Sequence, residues 1–260
     1  MTVRDALDAA VAALAAAGCE TPRLDAELLI ADALGVGRSA LVVDPSLPVT
    51  GAAARVIGER VRRRVAREPV AYILGRKGFR RLELMVDRRV LIPRPETELL
   101  VEVALELPPG SRVHDVGTGS GAVALALIDE RPDLVVSASD ASACAVEVAR
   151  ANGLSGAFVH RGLPLGDYDM VVGNLPYVRE DEWSSLAPEI RLYEPREALV
   201  AGADGLDAIR AVVGGAPRGR RLALEHAPGQ TEAVKGLLRQ PRTLSDLAGR
   251  PRVTVGVAWP

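Results

Sequence analysis

The sequence predicts an α/β fold: a mostly parallel twisted sheet with helices on both faces, preceded by a small all-helical domain. Three observations carry this expectation. From Glu96 onward, short apolar runs alternate with helical stretches, the pattern of parallel strands joined by crossover helices. Before Arg67, apolar residues recur only at helical spacing. Between the two, residues 72–95 change character and are broken by Gly75 and Gly78. The expected organisation is therefore a helical domain over 1–71, a connecting β-hairpin over 72–95 and the sheet domain over 96–260.

The elements follow in order. Val3, Leu7, Ala10 and Leu14 mark a first helix, and Leu24, Leu28, Ile30 and Leu34 a second that Gly35 stops. Asp44-Pro45 and Leu47-Pro48 form a loop, and a third helix runs from about Gly51 to Arg67 before Pro69. Phe79, Leu82, Leu84 and Val86 suggest extended chain. Strands are expected at 112–115, 134–139, 157–160, 169–173, 221–225 and 253–259, with helices over 122–130 and 141–152.

Bulk composition narrows the function class. With 260 residues, 48% hydrophobic and 25% charged, the chain can bury a sizeable core. Acidic and basic residues nearly cancel at a net charge of -2, so no global positive field draws it onto nucleic acid. Two isolated cysteines, Cys19 and Cys144, make neither a disulfide framework nor a zinc site and fit a reducing cytoplasm. The Ala-rich run from Ala9 to Ala17 follows Asp5 and Asp8, which favours an amphipathic first helix over a secretory signal. No stretch has the length of a membrane span.

Three motifs sit at expected strand ends, where open α/β sheets bind ligands. The first is Gly117-Thr118-Gly119-Ser120-Gly121, between a strand and a helix. Glycines there let backbone approach a ligand closely, and the helix start offers N–H groups to an anionic group. The spacing is not the G-x-G-x-x-G of dinucleotide binders, and a purely structural turn is the alternative. The second is Asp140, 19 positions past Gly121. A carboxylate at the next strand end can accept both ribose hydroxyls of an adenosine cofactor; the alternative is a helix N-cap.

The third is Asn174-Leu175-Pro176-Tyr177, directly after the apolar run 170–173. A planar amide or amine nitrogen is a poor nucleophile because its lone pair is delocalised. Two acceptors in its plane, the Asn174 side-chain oxygen and the Leu175 carbonyl, would hold the NH2 group and draw density onto nitrogen. Pro176 restricts Leu175 to extended backbone, and the Tyr177 ring is expected to stack on the substrate. A plain turn is the alternative reading.

With these motifs the sequence resembles the HemK/PrmC family of peptide chain release factor N5-glutamine methyltransferases. The resemblance spans nearly the whole chain. It includes 23–29 (RLDAELL), 69–75 (PVAYILG), 91–98 (LIPRPETE), 194–199 (EPREAL) and 224–226 (LEH). It implies a Rossmann-like class I methyltransferase domain and a helical domain that helps dock a class I release factor. It also implies S-adenosyl-L-methionine as cofactor, S-adenosyl-L-homocysteine as product, and no metal. Gly117 to Gly121, Asp140 and Asn174 would bind cofactor, with Leu163 near the adenine. Residues 174–177 would hold the glutamine of the Gly-Gly-Gln motif. A cytoplasmic monomer that takes neither nucleic acid nor membrane as partner is expected. The family pattern differs at two places: Leu175 replaces the first proline of Asn-Pro-Pro-Tyr, and 161–164 (RGLP) replaces an acidic-aromatic stretch. Losing the proline costs preorganisation worth about 0.4–1 kcal/mol.

Arg60, Arg62, Arg63, Arg64 and Arg67 form a basic cluster, read as a solvated helix face with a ribosomal RNA or release-factor contact as the alternative. His114, His160 and His226 lack metal-ligand spacing and are given structural roles. Trp183 and Tyr193 either close a lid over substrate or fill a local core. Two rival functions remain: an adenine-N6 nucleic-acid methyltransferase, which needs a basic base-flipping surface, and a non-catalytic homologue degraded at Leu175 and 161–163.

Overall fold

The computed structural model describes residues 1–259, which divide into two compact units. Along the chain the elements are α1 (Val3–Ala16), α2 (Pro22–Leu34), α3 (Arg38–Val43), α4 (Gly51–Val65), α5 (Val70–Leu74), β1 (Arg76–Phe79), β2 (Leu82–Met85), α6 (Glu98–Leu105), β3 (Arg112–Val116), α7 (Ala122–Glu130), β4 (Val135–Asp140) and α8 (Ala143–Ala151). There follow β5 (Phe158–Val159), β6 (Met170–Gly173), α9 (Pro188–Tyr193), α10 (Asp207–Gly215), β7 (Arg221–Glu225), α11 (Thr231–Gly236), β8 (Arg239–Ser245) and β9 (Pro251–Val257).

The first unit comprises Met1–Gly75 together with Ala187–Tyr193. Thr2 and Asp5 form a capping box that starts α1, and the left-handed Gly35 ends α2. Val3, Leu7, Leu14, Ile30, Leu41 and Ile57 make its core. The arginine cluster is a solvated face only in part, because four of its five members are ion-paired. Arg60 pairs with Asp32 at 2.6 Å and Arg63 with Glu68 at 2.8 Å. Buried Arg64 joins Asp25 at 2.7 Å and Glu189 at 2.8 Å, and Arg67 reaches the other Glu189 oxygen at 2.7 Å. Of the five, Arg62 is an exposed residue, and the paired Arg63 side chain is also partly open to solvent.

The second unit comprises Arg76–Leu186 and Glu194–Pro260. Its seven-stranded sheet has the order β5-β4-β3-β6-β7-β9-β8, with β9 antiparallel to both neighbours and the other pairs parallel. Alternation within the strands shows why both faces are covered. Met170 and Val172 join Leu100, Val101, Val123 and Leu127 in one cluster, while Val171 joins Ile209, Val212, Leu222 and Val234 in another.

Two domain boundaries and one helix end differ from the sequence expectation. The antiparallel hairpin β1–β2 is part of the second unit, because Phe79 and Leu84 enter the core around α6 and Arg80 makes a double hydrogen bond to Glu130, both at 2.7 Å. Segment 187–193, expected within the sheet domain, clusters with the helical unit through Glu189. The third expected helix ends at Val65, because Arg67 takes a positive φ of 70°. Strand β8 went unexpected because its sequence is polar and mostly exposed, at the sheet edge.

Candidate active site

The strand order reverses between β3 and β6, which leave the sheet centre in opposite directions. A crevice opens there at the carboxyl ends of the strands. Loop 117–121 leaves β3, Asp140 ends β4, and Asn174 follows β6, so the three motifs meet at one cavity of about 500 Å³. That is ample for a cofactor-sized ligand.

The glycines of the loop do different work. Gly117 has φ +73°, and a Cβ there would lie 3.1 Å from Leu175 Cδ2. Gly119 has φ +56° and lines the cavity; a Cβ there would meet no protein atom and would occupy cavity space. Gly121 is a packing glycine, its Cβ position hemmed by Leu125 and Leu154. Thr118 and Ser120 are buried. The Thr118 hydroxyl donates to Asp115 at 2.6 Å, and Asp115 also accepts from the N–H of Ala124 in the first turn of α7. Asp115 is thus an internal brace, and its burial raises its pKa to about 6. Asn152 ties the Ser120 carbonyl to the backbone of Met85 at the hairpin end.

Asp140 is not the helix cap. Ser142 caps α8, while the Asp140 carboxylate accepts from Gly119 N–H at 2.9 Å and Ser142 N–H at 2.8 Å. Burial raises its pKa, and those N–H groups oppose the rise. A carboxylate has about four acceptor positions, so two remain for ligand hydroxyls.

Asn174 is half-buried, and its Nδ2 donates to Thr97 Oγ1 at 2.9 Å. Among the described residues, no hydrogen bond within the chain occupies its Oδ1 or the Leu175 carbonyl. Leu175 is buried in the cluster of Val116, Val171 and Leu206, so packing supplies a restraint that a proline would otherwise give. Pro176 also lines the cavity.

Several expected site residues lie elsewhere. Tyr177 does not line the cavity: its hydroxyl points at Glu225 Oε1, 3.4 Å away, and burial pushes its pKa above the usual tyrosine range. The Tyr177 carbonyl also accepts from Gln230 Nε2 at 2.8 Å, a second tie on the loop. Leu163 also leaves the cavity wall and packs with the α10 cluster; His160, Arg161 and Gly162 form the wall there. Trp183 does not line the cavity and lies under Arg196, and Tyr193, in the first unit, donates to the Ala66 carbonyl at 2.7 Å. His114 lies between the Ser137 and Ser139 hydroxyls, and His226 bonds Thr254. Thr97, Glu225 and Gln230 were not assigned roles from sequence, since nothing local marks them as partners of a loop about 50–80 positions away. Among the described residues, no cluster of three metal-ligating side chains occurs and no helix is long and apolar enough to cross a membrane.

Comparison with known proteins agrees with this layout. Residues 5–75 match the PrmC N-terminal domain and residues 95–199 the methyltransferase small domain. The chain is 41% identical to the release factor glutamine methyltransferase of Xylella fastidiosa, over 95% of this chain and 97% of that one. It is 40% identical to that of Cereibacter sphaeroides, over 97% of each chain. It is 37% identical to that of Caulobacter vibrioides, over 100% of this chain and 98% of that one. Similarity of this depth, running end to end across both units, means that the chain belongs to the release factor glutamine methyltransferase family.

Proposed function

We propose that this protein transfers a methyl group from S-adenosyl-L-methionine to the side-chain amide nitrogen of the glutamine in the Gly-Gly-Gln motif of class I release factors. The observation that carries the reading is the pair of uncommitted acceptors, Asn174 Oδ1 and the Leu175 carbonyl, on residues that line the same cavity as Gly119 and Asp140. The cofactor, when bound, supplies an electrophilic methyl group. The chain's residues fit it: Gly119 leaves room where any side chain would intrude, and Asp140 keeps acceptor positions for ribose hydroxyls.

The two acceptors hold the substrate NH2 in one plane and lend it electron density. The work is done by orientation and fixed dipoles. Four arginines of the α4 cluster, Arg60, Arg63, Arg64 and Arg67, are committed to carboxylates, which weakens the case for the basic surface an adenine-N6 reading needs.

The test is incubation of the full-length protein with labelled S-adenosyl-L-methionine and a class I release factor, in wild-type and Gln→Ala forms. Label should enter only the wild-type factor. Asn174→Ala should lower kcat at least about 100-fold, as loss of a preorganised polar group does. Label in the Gln→Ala factor, or an Asn174→Ala protein at full speed, would refute the reading.

A further inference from the structure

Two stretches far apart in sequence, 91–98 and 194–199, both supply wall to the cavity. Leu91, Pro93 and Thr97 come from the first, Pro195 and Ala198 from the second. One side chain joins them. Glu194 stands directly before Pro195, does not line the cavity, and has a side chain only 2% exposed. One of its oxygens accepts from the backbone N–H of Ile92 at 3.2 Å, the other from Arg94 at 2.5 Å.

Followed in both directions, these bonds close a ring. The Arg94 carbonyl accepts from Thr97 N–H at 3.1 Å, and the Thr97 hydroxyl accepts from Asn174 Nδ2 at 2.9 Å. On the other side the chain leaves Glu194, turns over Arg196–Ala198, and presents the Leu199 carbonyl to Val178 N–H at 2.8 Å. Val178 lies four positions past Asn174, and its own carbonyl accepts from Ala201 N–H at 3.0 Å. The Asn174 turn is thus held at its start through Thr97 and at its end through Leu199, and the two holds meet at Glu194.

The bond between Glu194 and Arg94 is charge-assisted, about twice as strong as the neutral bonds elsewhere in the ring. We propose that Glu194 is a positioning residue for methyl transfer. It fastens the two cavity walls to each other and so fixes the Asn174 turn, with the acceptors on Asn174 and Leu175, at the spacing a substrate NH2 group needs. Such a role matters because a misplacement of about 1 Å costs a reaction governed by orientation about 100-fold. The inference rests on that turn gripping the amide, as proposed above.

The test uses full-length protein, S-adenosyl-L-methionine and a class I release factor, with Glu194→Ala, Glu194→Gln, Arg94→Ala and the double variant Glu194→Ala/Thr97→Val. Glu194→Ala should lower kcat about 10- to 100-fold, while the calorimetric Kd for the cofactor stays within about threefold, because Gly119 and Asp140 lie outside the ring. Glu194→Gln keeps one acceptor oxygen and should turn over at least about fivefold faster than Glu194→Ala. Thr97→Val cuts the same ring at another link, so adding it to Glu194→Ala should cost no more than about threefold further, whereas independent effects would multiply. Hydrogen exchange of the free protein reads the ring without substrate. In Glu194→Ala the Thr97 and Val178 amides should exchange at least about 10-fold faster, with those of β3 unchanged.

Wild-type kcat in Glu194→Ala, a Glu194→Gln no faster than Glu194→Ala, full multiplication in the double variant, or Thr97 and Val178 amides that exchange as in wild type overturns the proposal. Should Glu194→Ala show no native melt, Arg94→Ala decides, since its side chain is 29% exposed and its removal leaves the Ile92 bond in place. Wild-type turnover there also overturns the proposal. A wild type that leaves the release factor unmethylated overturns the substrate reading, and with it the part given to Glu194 in transfer, even where exchange upholds the ring.

Discussion

The Cδ2 atom of Leu175 lies 3.1 Å from the point where a Cβ on Gly117 would sit. Two loops from neighbouring strands, one expected to face cofactor and one substrate, are thus packed directly on each other.

Gly117→Ala and Gly119→Ala should separate packing from binding. At 117 the new methyl meets Leu175 on a left-handed backbone, so the melt should drop by about 1–3 kcal/mol. At 119 the backbone cost alone applies, about 1–2 kcal/mol, while the methyl enters the cavity. Calorimetric titration with S-adenosyl-L-methionine should show the larger affinity loss in Gly119→Ala; the reverse ranking would contradict this division of labour.

Leu175 tests how the chain manages without the first proline. Leu175→Ala removes a buried side chain and should cost about 2–4 kcal/mol in urea unfolding, with turnover falling as the loop loosens. Leu175→Pro keeps apolar bulk and restores backbone restraint. It should therefore turn over faster than Leu175→Ala and close to wild type, and single-turnover rates of the three proteins check the order.

Arg64 is 5% exposed between Asp25 and Glu189. Arg64→Leu leaves the Asp25 carboxylate buried and unpaired, which should cost about 3–5 kcal/mol. Adding Asp25→Leu should recover part of the loss, since Glu189 keeps Arg67. A melt of Arg64→Leu at the wild-type temperature would show the pair to be dispensable.

His114 should make the fold acid-sensitive. Burial holds its pKa at about 4, below the ordinary 6.5. Its stabilising contribution is complete above about 6.5 and shrinks as pH falls toward 4, by about 2 kcal/mol between pH 7 and 5. Asp115 and Glu225, with raised values, act in the opposite sense over that range. The contribution of His114 is therefore read as the difference in slope between wild type and His114→Gln, from urea melts at both pH values. Parallel slopes would place the titration elsewhere.

What the sequence made legible was local. A glycine loop, an acid at the next strand end and an Asn-x-Pro-Tyr turn each carry their meaning in a few adjacent residues, and each lies where strand alternation put it. Thr97 and Glu225 escaped because each touches the Asn174 turn only through the fold, Thr97 at Asn174 from the turn before α6 and Glu225 at Tyr177 from the end of β7. The hydroxyl partner of Tyr177 was hidden for a related reason, since Glu225 is brought to it from the end of β7. Strand β8 carries too little apolar pattern to announce itself, since an edge strand buries little of either face.

The strap formed by Ala187–Tyr193 makes the chain visit the helical unit twice. That unit is therefore not a detachable head. A fragment cut after Gly75 would keep Arg64 and Arg67 but forfeit the carboxylate that both of them grasp. The helices and the stretch just downstream of the Asn174 turn are expected to have been inherited together, and swapping the helical part between relatives should succeed only when the strap travels with it.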